Sequence, residues 1–138
     1  MPRRVYADTS AYLCALLGEA GSPEFVRALA GARILSSVVL ALEVERTLLR
    51  LSREGRISAS QGQDLRERFR EDLRQFGLRD VSLDLCMNSV IPAITTPRSL
   101  DLLHLRTAVE FHQEEPLDLF LTNDEQQRVS DRELGLPV

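Results

Sequence analysis

Four short apolar runs, each separated from the next by helix-like sequence, constrain this chain more than any other feature. Residues 4–7, 32–36, 79–83 and 117–122 are rich in aliphatic and aromatic side chains and read as strands. Strands that alternate with helices pair in parallel, because each return crossing needs a dozen or more residues and lays a helix on the sheet. The expected architecture is α/β: a central, mostly parallel sheet of short strands flanked by helices, in the order βα(α)βααβααβα. The 138 residues contain no repeat, no low-complexity tract and no dividing linker, so a single domain is expected over 1–138.

Punctuation residues mark the helices. Ser22 and Pro23 read as a cap and a first-turn proline before a helix over 24–30. Ser37 is placed to cap a long helix reaching about Arg53, stopped by Gly55. Over 60–76, Leu65, Phe69, Leu73 and Phe76 share one stripe, with Gly77 as the expected stop. A helix is expected over 83–93, ended or kinked at Pro92. Pro97 then closes that segment, and Ser99 caps a helix over 100–112. A last helix starts at Asp124 or Glu125 and runs to Leu134 before Gly135.

Composition narrows the function classes. With 43% hydrophobic and 28% charged residues the chain reads as globular rather than disordered. No apolar run approaches the roughly 18 residues of a membrane span, and the start lacks a signal-peptide core, so a cytoplasmic protein is expected. Cys14 and Cys86 sit among apolar neighbours and read as buried free thiols. All 17 basic residues are arginine, whose planar fork can grip phosphate at two points. A net charge of −4 excludes a uniformly basic coat. The charge is uneven, however: residues 1–80 carry 13 arginines and 11 acids, residues 81–138 carry 4 and 10. A local basic face beside an acidic pocket fits that imbalance.

Four acids stand out by position. Asp8 follows the first strand and precedes a helix; Asp124 stands the same way after the last; Asp101 lies in the first turn of its helix. In open α/β sheets ligands bind where strands end and helices begin. Glu43, about six residues inside its helix, can reach the same mouth from the flank. Four carboxylates meeting there repel one another unless a cation sits between them, and hard oxygen donors suit Mg²⁺ or Mn²⁺. Each acid also has a plain structural role open to it. Asp8 and Asp124 can be helix caps, Asp101 a partner of the helix dipole, and Glu43 an ion-pair partner of Arg46. Around them, Ser10 can orient a carboxylate or a metal-bound water. Asn123 can contact such a water or cap a helix. His104, one turn after Asp101, fits a neutral hydrogen-bonded ring better than a ligand. Arg46, Arg50 and Arg53 continue the helical line from Glu43 and can track a phosphate backbone or form a solvated face.

The segments carrying these acids, VYADTSAYL, SSVVLALEVER, PRSLDLLHLRTA and LTNDEQ, resemble those of the PIN-domain nucleases, in particular the VapC-type toxins of bacterial toxin–antitoxin pairs. The resemblance runs over nearly the whole chain and is most specific in PRSLDLLHLRTA. It implies a PIN-like fold and a Mg²⁺- or Mn²⁺-dependent endoribonuclease with Asp8, Glu43, Asp101 and Asp124 as catalytic acids. Asp8 and Asp101 would bind metal directly, Glu43 and Asp124 directly or through water, and Arg46 and Arg50 would contact RNA. It also implies a homodimer and a VapB-like antitoxin that blocks the site. Leu102 and Arg106 stand where the family commonly has alanine, and Arg106 is expected to set a bulky cation near Asp101. An antitoxin helix is expected in a groove of Tyr12, Leu16, Leu17, Phe25 and Leu29 beside the Glu43 helix. Alternatives are a PIN-type nuclease of RNA processing or DNA maintenance, and a non-enzymatic module binding through its acidic pocket. A phosphorylated receiver would need a lysine near its aspartate, and the chain has none.

Overall fold

The computed structural model describes residues 1–87 and 98–138. The elements run β1 (Arg4–Ala7), α1 (Thr9–Leu17), α2 (Ser22–Leu29), β2 (Arg33–Ser37), α3 (Val39–Arg53), α4 (Ala59–Leu73), β3 (Gly77–Arg79), α5 (Leu83–Met87), α6 (Ser99–Glu114), β4 (Leu119–Leu121) and α7 (Glu125–Glu133). The four strands form one sheet in the order β3-β2-β1-β4, and every pairing is parallel. The chain therefore builds outward from β1 through β2 to β3, then crosses back to lay β4 on the other side of β1. The reversal opens a crevice between the carboxyl ends of β1 and β4.

Both faces of the sheet are covered, as parallel strands require. Tyr6, Leu35 and Phe120 point to one face and pack with Leu105, Ala108 and Phe111 of α6. Tyr6 stacks on Phe120 with ring centroids 5.1 Å apart and meets Phe111 at 6.2 Å. Toward the other face Leu121 packs with Ala11, Cys14 and Phe25. Tyr12 and Leu16 of α1 bury against Leu40, Val44 and Leu48 of α3 and Phe69 of α4.

Several local expectations shift. The third strand is Gly77–Arg79 rather than 79–83, in register with Leu35–Ser37 of β2. Ser82 is the reason: its hydroxyl accepts from the Leu85 N–H at 3.1 Å, so Leu83 already belongs to a helix. Gly77 opens this strand instead of stopping α4, and a Cβ there would lie 2.8 Å from a methyl of Leu35, which would have to move aside. α4 begins one residue early because Ser58 and Gln61 close a reciprocal capping box. Gly21, not Ser22, caps α2; Val38 rather than Ser37 caps α3, although the Ser37 hydroxyl accepts from the Val39 N–H; and Arg98, not Ser99, caps α6. The expectations for 88–93, Pro92 and Pro97 lie outside the described residues. Cys14 is buried but Cys86 is exposed. Tyr12, Leu16 and Phe25 are at most 8% exposed and belong to the core, so they line no open groove. Among the described residues no helix is long and apolar enough to cross a membrane.

Candidate active site

The crevice at the carboxyl ends of β1 and β4 holds a cavity of about 500 Å³ whose walls include Asp8, Glu43, Asp101 and Asp124. Each acid arrives from a different stretch of chain: Asp8 from the end of β1, Glu43 from the second turn of α3, Asp101 from the first turn of α6, Asp124 from the start of α7. The fold thus brings together all four acids picked out by sequence.

Two of them are helix caps as well, so the plain structural role and the cavity position coexist. Asp8 Oδ1 accepts from the Ala11 N–H at 3.0 Å and from the Ser10 hydroxyl at 2.7 Å. Asp124 Oδ1 accepts from the N–H groups of Gln126 and Gln127. Asp8 is 4% exposed, and burial pushes its carboxyl above the ordinary range, while the Thr122 and Ser10 hydroxyls, the charge of His104 and the Ala11 N–H pull it back. Ser10 is the orienting residue expected of it. Asn123 is exposed and caps nothing; its N–H donates to the Ser10 hydroxyl at 2.8 Å, which ties the end of β4 to the start of α1.

Glu43 is fixed by a buried relay. Its Oε1 accepts from the Thr9 hydroxyl at 2.6 Å and from His104 Nε2 at 2.9 Å. The other ring nitrogen, Nδ1, lies 2.8 Å from the Tyr6 hydroxyl. Both ring nitrogens of His104 are thus engaged, Nε2 by the Glu43 carboxylate and Nδ1 by the Tyr6 hydroxyl. Burial works to raise the Glu43 carboxyl, but the bonds from His104 and Thr9, with the charges of His104 and Arg46, outweigh it and hold the group below its usual range. His104 is 2% exposed and hydrogen-bonded at both ring nitrogens, in keeping with a ring packed behind the helix.

Asp101 and Asp124 share one cation. Arg98 donates from Nε to Asp101 Oδ2 and from a terminal nitrogen to Asp124 Oδ2, both at 3.0 Å. Arg46 and Arg50 also line the cavity, and both continue onto the outer side of α3, where Arg53 joins them beside Leu42, Glu45 and Leu49. Of the three arginines, Arg53 is the one that does not reach the cavity wall. Arg106 does not crowd Asp101; it reaches across to the Cys86 carbonyl on α5.

A fifth acid escaped the sequence reading. Asp131 is fully buried on α7, and neither carboxyl oxygen has a hydrogen-bond partner among the described residues. Burial, then the charges of Asp8, Asp101 and Asp124 against that of Arg128, push its pKa up to about 8. Its neighbour one turn earlier, Gln127, is 2% exposed and donates to the Asp101 carbonyl at 3.1 Å. The signal was present as a stripe, Gln127, Ser130, Asp131 and Leu134, at helical spacing, but a search for apolar periodicity passes over polar residues.

The donor set is all carboxylate, four acids beside three arginines on the same cavity wall, and oxygen donors of this kind suit a hard divalent cation. Among the described residues, however, no group of three or more His, Cys, Asp or Glu side chains is arranged to hold a metal ion. No family model matches this sequence, and no curated protein matches it.

Proposed function

We propose that this chain is a Mg²⁺- or Mn²⁺-dependent endoribonuclease with the fold of the PIN-domain nucleases, acting as the toxin of a VapC-type pair. The observation that carries the reading is the convergence of Asp8, Glu43, Asp101 and Asp124, from four separate segments, on one cavity at the reversal point of a parallel sheet. Those same four segments are the ones that resemble the family.

Asp8 and Asp101 would hold the metal, with Glu43 and Asp124 completing its surroundings directly or through water. When bound, the ion supplies a Lewis acid for the phosphodiester and lowers the pKa of a water that can attack it. The chain's own residues do the rest. Ser10 and the Ala11 N–H keep Asp8 in one orientation, while Thr9 and His104 keep Glu43 in one rotamer. Such fixed carboxylates need no reorganisation as charge develops at the phosphate. Arg46 and Arg50, at the cavity wall, are placed to take the flanking phosphates of an RNA strand.

The homodimer and the VapB-like antitoxin belong to the same reading. Leu42 and Leu49, 72% and 60% exposed on α3, offer apolar surface to a partner. A cationic side chain from an antitoxin would find the carboxylates ready to receive it.

The test is cleavage of total RNA in Mg²⁺ by the wild type, Asp8→Asn and Asp101→Asn, with circular dichroism to verify the fold. Both variants should stay folded and lose at least about a hundredfold in rate. Wild-type-like cleavage by both would sink the four-acid mechanism. Expression alone should arrest growth, and co-expression with an adjacent small reading frame should rescue it. Harmless expression with no binding neighbour would remove the toxin role and leave the nuclease role standing.

A further inference from the structure

Arg98 occupies an unusual place in the cavity. It stands at the N-cap of α6, where its own side chain makes no capping bond, and directs its guanidinium to Asp101 and Asp124 together. Those two carboxylates come from different helices, α6 and α7, so the fork joins two walls of the cavity. The side chain is 78% exposed, while Asp101 and Asp124 are 24% and 26% exposed. With most of the side chain in water, leaving the acids costs little. Its fork also has the geometry to bind two oxygens of a phosphate. The cavity thus contains a cation held by two exposed, hydrogen-bonded ion pairs, on a tether long enough to turn.

We propose that Arg98 is a phosphate-positioning residue held in reserve: it neutralises Asp101 and Asp124 until a divalent cation takes them, and then turns to the substrate phosphodiester. This rests on the metal-dependent nuclease reading and adds a residue that the four-acid scheme omits. It makes two opposite demands of one side chain. Arg98 competes with the metal, so removing its charge strengthens metal binding. It also contacts the phosphate, so removing its charge weakens RNA binding in the presence of metal. A guanidinium serving only to pin α6 to α7 would still compete with the metal, but its loss would leave RNA binding in the presence of metal unchanged.

The experiment compares the wild type with Arg98→Gln, in the full chain, with circular dichroism to establish that both are folded. Mn²⁺ alone is titrated by calorimetry, and a fluorescein-labelled RNA hairpin is titrated by anisotropy in Ca²⁺, which should support binding with little turnover. The expected result is Mn²⁺ binding about threefold to tenfold tighter in Arg98→Gln, the scale of two exposed ion pairs, together with several-fold weaker RNA binding. Unchanged or weaker Mn²⁺ binding in the variant overturns the competition. Tighter Mn²⁺ binding with unchanged RNA affinity overturns the transfer to phosphate. If the wild type itself binds no Mn²⁺, the metal-dependent reading fails and takes this proposal with it, a result distinct from either of the others.

Discussion

The two ends of the parallel sheet are both charged, and they handle charge in opposite ways. At the amino end Arg4 and Arg33 are engaged by the fold itself. Arg4 pairs with Glu115 and takes the carbonyls of Phe111, Glu115 and Pro116; its own N–H donates to Asp118; Arg33 donates to the Gln75 carbonyl. At the carboxyl end Asp8, Glu43, Asp101 and Asp124 face one cavity with Arg46, Arg50 and Arg98, Asp131 is buried on α7, and among the described residues only Arg98 bonds two of the acids at once. An isolated helix cap or ion pair asks for one acid in one place. Five acids gathered at one end of the sheet, one of them with no hydrogen-bond partner among the described residues, are an arrangement that folding alone does not favour. That arrangement is what the proposed metal site would use.

Removing the divalent cation should give the largest effect. Cleavage of RNA in EDTA should fall by at least about a thousandfold and return with Mg²⁺ or Mn²⁺, because the carboxylates by themselves offer no electrophile. Ca²⁺, larger and more loosely coordinated, should restore little turnover. Cleavage by purified protein that persists undiminished in EDTA would erase the difference between the two ends.

Asp131 comes next, through stability. An unfolded aspartate titrates near 3.9, whereas the folded group is held at about 8. Below about pH 4 both states are protonated and the residue is neutral to stability. Between about pH 4 and pH 8 the unfolded chain releases a proton that the folded chain keeps, so stability falls as pH rises; above pH 8 the loss is complete. Asp131→Asn should therefore stabilise the metal-free protein at pH 7 by on the order of 4 kcal/mol, with the gain vanishing near pH 4. Denaturant melts at both pH values decide it, and a variant equally destabilised at each would show that the carboxyl is wanted for its shape instead of being tolerated for its charge.

The sequence made the chain's order of elements legible, because alternating strand and helix patterns survive errors of a few residues in each boundary. Three of the four acids were legible for a different reason: Asp8, Asp101 and Asp124 each stand at a helix start, whereas Glu43, inside α3, was singled out by the resemblance of its segment. What stayed hidden depends on contacts across long separations. Tyr6, Thr9, Glu43 and His104 form their relay only once β1, α3 and α6 meet. Arg98 was read as part of a motif and not as a partner of Asp124, 26 residues away. The third strand was misplaced because Gly77 looks like a helix stop until Leu35 lies beside it.

The arginines at the cavity wall give a smaller, sharper effect. Arg46→Ala with Arg50→Ala should weaken RNA binding and flatten its dependence on salt, each lost phosphate contact lowering the slope by about 0.7 for a single strand. Arg53→Ala, on the outer side of α3, should leave the slope alone. Equal slopes for the double variant and the wild type would return Arg46 and Arg50 to the solvated surface.

The smallest expected effect belongs to the amino end. Glu115 is 65% exposed and lies 3.5 Å from Arg4 Nε. Its carboxylate meets the guanidinium in water, where the attraction is screened and holding two side chains in one geometry costs entropy. Arg4 also keeps its backbone carbonyl partners without it. Glu115→Gln should change stability by no more than about 0.5 kcal/mol and leave both cleavage and Mn²⁺ affinity at wild-type values. The same charge removal at Asp101, 24% exposed and on the opposite side of the fold, should abolish both. If Glu115→Gln lowers cleavage severalfold at unchanged stability, the amino end takes part in the reaction. The contrast between the two ends would then have to give way to a substrate path reaching across the whole sheet.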